Sequence, residues 1–84
     1  MIEQICEPVD VVVSFSVAGK IVPRKFRWRG RVYDILKIHQ RHETRDGKAV
    51  LQFFHCTDQS SPYRKICFNN ITNIWTLEET ETDP

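Results

Sequence analysis

The residues best suited to chemistry lie in one run, Arg24-Lys25-Phe26-Arg27-Trp28-Arg29-Gly30-Arg31-Val32-Tyr33, where cations alternate with aromatic or apolar residues from Lys25 onward. Cations neutralise phosphates and aromatic rings stack on bases, so the two interleaved are the raw material of a single-strand-binding platform. Period-two alternation is also the mark of a strand with one wet and one dry face. Parity separates the components: in a regular strand Phe26 and Trp28 share a face with Arg24, while Lys25, Arg27 and Arg29 project from the other. A platform needs rings beside charges. The spacing therefore predicts that Phe26 and Trp28 anchor a core. Recognition then belongs to a cationic ridge of Lys25, Arg27, Arg29 and Arg31, with Lys37 and Arg41 as further phosphate contacts. An ordinary solvated surface has the same composition.

A second constellation is His39, His42, His55, Cys56 and Cys67, ligand types that suit zinc. Strand geometry sends His39 and His42 to opposite faces, and His55 and Cys56 likewise, so no metal or other cofactor is expected. Cys56 and Cys67 read instead as small core residues and the histidines as surface groups. No nucleophile elbow, phosphate-binding glycine loop or zinc-protease motif occurs, and a β domain of 84 residues has little volume for a substrate pocket. A non-enzymatic protein is expected. The competing class is a protein-interaction or dimerisation module, for which Tyr33, Phe54 and Tyr63 could form an exposed aromatic patch.

These residues need a scaffold, and the chain is long enough for one small domain. An apolar content of 40%, with nine aromatic residues, is enough to fold. Net charge is only +1, yet ten of the twelve Lys/Arg lie between Lys20 and Lys48, opposed there by Asp34, Glu43 and Asp46 alone. Glu3, Glu7 and Asp10 precede that segment, and Glu78, Glu79, Glu81 and Asp83 follow it. Such polarity steers anionic partners, nucleic acid or another polyanion, despite the small net charge. Three cysteines without a C-x-x-C suggest a reducing compartment. With no basic-apolar leader and no apolar stretch of about 20 residues, the expectation is a cytoplasmic protein without membrane association.

Period-two runs punctuated by turn residues fill the chain. Strands are predicted over 9–18, 24–28, 31–43, 49–56, 63–68 and 71–77. Turns fall at Gly19-Lys20, at Arg29-Gly30 with a bulge, at Arg45-Asp46-Gly47, and over Asp58 to Pro62. Apolar residues on both parities of Val32 to Ile38 suit either a central strand or one that bends with a bulge between two faces of a barrel. The expected architecture is all-β: five to six antiparallel strands in a small SH3-like barrel or strongly curved meander. It occupies residues 1–77, and 78–84 form a flexible acidic tail.

The run Phe26-Arg27-Trp28-Arg29-Gly30-Arg31-Val32-Tyr33-Asp34-Ile35 resembles a group of uncharacterised small bacterial proteins with an F-x-W-R-G-R-x-Y-x-V type motif. Trp75-Thr76-Leu77 resembles the tryptophan-containing strand that closes that group. The resemblance implies a β fold and a bacterial origin, and assigns no site residue.

Overall fold

The computed structural model describes residues 1–81, and these form six antiparallel strands closed into a ring. In order they are β1 (Ile2–Phe15), β2 (Ile21–Trp28), β3 (Arg31–Asp46), β4 (Ala49–Asp58), β5 (Arg64–Asn69) and β6 (Ile74–Glu81). Each pairs with its sequence neighbour, and β1 closes the ring by pairing with β6 along Ile2–Val9 and with β2 along Asp10–Phe15. Closure removes most of the unpaired edge that a sheet of this size would expose.

Parity behaves as the alternation demands. Phe26 is 1% exposed and packs with Tyr33, Phe54, Ile66, Trp75 and Leu77 in the core, against which Trp28 is half-buried. The Phe26 and Tyr33 rings stack at 5.2 Å between centroids. The β2–β3 connection is a two-residue turn without the expected bulge: Trp28 pairs directly with Arg31, and Arg29 and Gly30 both have positive φ, 52° and 77°. Positive φ at both central residues is the mirror-image turn whose twist matches the flanking strands. In β3 the bend takes the form of register shifts between Ile35 and Lys37 and between Ile38 and Gln40. They let Ile35 and Ile38, three residues apart, both pack on the core.

β2 begins at Ile21, β3 ends at Asp46 and Ile71 to Asn73 form a turn rather than strand, and the two largest departures from the expected boundaries have one reason. The polar segment Ile2 to Pro8 and the acidic segment Glu78 to Glu81 are strand, paired to each other as Ile2 with Glu81, Glu3 with Thr80 and Gln4 with Glu79. The acidic tail is therefore not loose as far as Glu81, because backbone hydrogen bonds to β1 hold it; residues 82–84 lie outside the described residues. A register shift between Gln4 and Glu7, with Cys6 at φ 55°, bends β1 as it passes from β6 to β2.

The ring is not uniformly zipped. Pairing between β2 and β3 runs only from Lys25–Asp34 to Trp28–Arg31. Ile21 to Arg24 have only β1 beside them, and β3 beyond Asp34 has only β4. The strands thus diverge toward the end of the ring that carries the β1–β2 and β3–β4 turns.

Candidate nucleic-acid interface

At the end of the ring carrying the β2–β3 turn, Arg29 and Arg64 are matched by carboxylates, while Arg31 has no ion-pair partner among the described residues. The Trp28 indole N–H donates to Glu7 Oε1 at 2.8 Å, and Arg29 Nη2 donates to Glu7 Oε2 at 2.7 Å while its guanidinium lies 4.5 Å from the Trp28 ring centre. These bonds to Arg29 and Trp28 hold the Glu7 carboxyl below the usual carboxylate range. Beside them, Arg64 Nε donates to Asp58 Oδ2 at 2.8 Å inside the barrel, with side chains 5% and 0% exposed. Asp58 Oδ1 also accepts the Ser60 and Ser61 backbone N–H at 2.7 and 3.0 Å. The Arg64 guanidinium faces the Tyr33, Trp28 and Phe26 rings at 4.5, 5.5 and 5.6 Å. Carboxylate, amide donors and ring faces together make a buried ion pair tolerable. Six residues across a loop is no pattern from which the pairing of Asp58 with Arg64 could be found in the sequence.

The six cations of the sequence-derived ridge do not share one surface. Lys25 and Arg27 point outward from β2, as parity requires, but the register sets Asp34 opposite Lys25 and Asp10 opposite Arg27. Arg27 Nη2 donates to Asp10 Oδ2 at 2.6 Å. With Val12 and Val32 exposed among them, this face alternates cation, carboxylate and apolar residue. Arg29 is held by Glu7, Arg31 is exposed at the start of β3, and Lys37 is exposed at the first bulge. Arg41 lies toward the opposite end, its guanidinium 5.1 Å from the centre of the buried Phe54 ring.

Arg41 belongs to a different surface. Where β2 and β3 diverge there is a groove of about 480 Å³, bounded by Phe15, Lys20 and Ile21 on one side and by Arg41, His42 and Phe53 on the other. Phe15 is 69% exposed there. Its alternation with Val11 and Val13 predicts a buried face, but the register shift between Val12 and Val13 and the end of the strand carry it past the core. The turn that follows is tightly bonded: the Ser16 N–H donates to the Lys20 carbonyl at 2.9 Å, the Gly19 N–H to the Ser16 carbonyl at 2.8 Å, and the Lys20 N–H to Ser16 Oγ at 3.0 Å. Among the described residues Lys20, Arg41, Arg45 and Lys48 have no ion-pair partner, nor do Lys25, Arg31, Lys37 and Lys65 elsewhere, and Arg24 donates to Ser14 Oγ. Glu43 is the carboxylate bordering the groove. Lys20 and Phe15 were missed because they flank a turn, where alternation stops carrying information.

The histidines divide. His39 bonds Thr57, whereas His42 and His55 sit together outside β3 and β4, ring centres 5.3 Å apart, with His42 stacked on Phe53 at 4.9 Å. They are half-buried rather than surface groups. Burial, then His42 and Lys65, lower the His55 pKa from its usual 6.5. Cys56 faces inward, burial pushing its thiol up to about 12, and no cluster of three or more metal-ligating groups occurs among the described residues. Tyr33 and Phe54 are buried and the Tyr63 hydroxyl donates to Glu79 at 2.8 Å, so these three do not form an exposed aromatic patch. No family model, curated protein or solved structure matches this chain.

Proposed function

We propose that this protein is a non-enzymatic binding module that takes nucleic acid or a similar polyanion at the open end of the ring, through Lys20, Arg24, Arg41, Arg45 and Lys48. The observation carrying the reading is the gathering at that end of five cations without ion-pair partners, against Lys25 and Arg31 along the β2–β3 hairpin. Arg27, Arg29 and Arg64 are engaged by Asp10, Glu7 and Asp58, while the cations around the groove lack carboxylate partners among the described residues. A cation already paired must give up its carboxylate before it meets a phosphate; an unpaired one releases only solvent and small ions. The module keeps Arg41 from the sequence-derived set and moves the centre of binding from the β2–β3 turn to the β1–β2 turn.

Phosphate contacts of this kind supply affinity with little sequence choice. Fluorescence anisotropy of a labelled oligonucleotide, titrated at low and at moderate salt, tests the proposal: binding weakens steeply as salt rises. Failure of both the oligonucleotide and heparin to bind at low salt overturns it.

A further inference from the structure

We infer that the groove between the β1–β2 turn and β3 selects single-stranded over duplex nucleic acid, seating a base on the ring of Phe15 while Lys20 and Arg41 contact the flanking phosphates. The inference rests on the polyanion reading above and adds a substrate class to it.

Three observations carry it. Phe15 is the exposed aromatic ring among the described Phe, Trp and Tyr residues, the others being buried or half-buried. It lies beside a free cation on its own turn, Lys20, and across the groove from another, Arg41. A ring adjacent to unpaired cations is the arrangement that stacks bases while neutralising a backbone, and it is what the Lys25–Tyr33 run lacks. The three hydrogen bonds of the Ser16–Lys20 turn hold Phe15 and Lys20 in place before any ligand arrives, which lowers the ordering cost of binding.

The second argument is shape. The groove is a cleft of about 480 Å³, within the range of ligand-sized pockets, and an unstacked base with its sugar can enter it. In a duplex the base faces are stacked on their neighbours and cannot stack on the exposed Phe15 ring at the side of the groove unless a nucleotide is flipped out. Duplex therefore meets only the rim cations. A protein segment is the other extended chain that could lie there, but the free charges bordering the groove, Lys20 and Arg41 against Glu43, favour an anionic backbone.

The test compares a labelled oligothymidine 12-mer with a duplex of the same length and with heparin, for the unaltered protein, Phe15→Ala, Phe15→Trp and the double variant Lys20→Ala/Arg41→Ala. Oligothymidine binds more tightly than duplex. Phe15→Ala weakens oligothymidine binding by on the order of tenfold and leaves duplex and heparin unchanged. Phe15→Trp keeps the affinity and its fluorescence is quenched on binding. The double cation variant weakens all three ligands. Oligothymidine affinity within twofold of the unaltered protein for Phe15→Ala, or duplex bound as tightly as single strand, overturns the single-strand inference while the polyanion reading stands. If neither oligothymidine nor heparin binds at low salt, both fall. Thermal melts of each variant separate loss of binding from loss of fold.

Discussion

The two ends of this ring use arginine in opposite ways. At the end carrying the β2–β3 turn, Arg64 is buried against Asp58 and three aromatic faces, and Arg29 covers Trp28 while bonding Glu7. At the other end Arg41 also lies over a core ring, Phe54, but without a carboxylate partner among the described residues, beside an exposed phenylalanine. The same cation–ring contact thus closes one mouth and leaves the other chemically available. Whether an arginine here is tied into the fold or left available to a partner depends on its counter-ion, not on the ring beneath it. Each buried group matters in so small a fold, since domain stabilities are only about 5–15 kcal/mol.

The comparison predicts stability losses at one end and binding losses at the other. The largest effect is expected for Asp58→Ala, which strands a buried guanidinium and releases the Ser60 and Ser61 N–H groups. It should cost about 3–5 kcal/mol in urea denaturation. Asp58→Ala/Arg64→Met, replacing both charges, should recover part of that loss; a single-variant cost near zero would break the contrast between the ends. Gly30→Ala comes next. Nothing lies within 4 Å of the added Cβ, so the penalty is that of φ at 77°, about 1–2 kcal/mol by the same measurement.

At the open end Lys20→Ala/Arg41→Ala should change stability by less than about 1 kcal/mol. The same pair should flatten the slope of log affinity against log salt by about 1.4 for a single strand, from two phosphate contacts removed. A large stability loss here would mean that this end is structural too.

The smallest effect sharpens the boundary between the two regions. His55, lowered from 6.5 by burial and then by His42 and Lys65, with Glu79 raising it, binds fewer protons in the folded than in the unfolded state. Its contribution is fully present above pH 6.5 and is lost as pH falls below that value toward the folded pKa. Denaturation midpoints should therefore decline on acidification through pH 6, and His55→Gln should flatten that decline. A midpoint unchanged by the substitution would remove His55 from the account.

Much of the architecture was legible locally. Alternation located the central parts of six strands and assigned Phe26 inward and Lys25 and Arg27 outward; Arg29-Gly30 marked a turn and Val32 to Ile38 allowed a bend. The outer halves of β1 and β6 were not legible, because Glu3, Gln4 and Glu78 to Glu81 have no strand-like pattern and become strand by pairing with each other across the whole chain and, for Glu79 and Thr80, with β5. The candidate site divided in the same way. The abundance of cations between Lys20 and Lys48 is a property of composition, but which of them are free is a property of register.

By itself the sequence determined an all-β chain, the inward or outward direction of side chains within each strand, and a basic middle between acidic ends, since all three follow from nearest-neighbour geometry and counting. The tertiary structure alone decided that Asp10 lies beside Arg27, that Glu7 takes Arg29 and Trp28, that Asp58 and Arg64 share the barrel interior, and that Phe15 faces solvent across a groove from Arg41. Those contacts join residues from 6 to 26 positions apart, Asp58 with Arg64 and Phe15 with Arg41, and depend on strand register and on where bulges fall. A shift of one residue in pairing would redirect each of them.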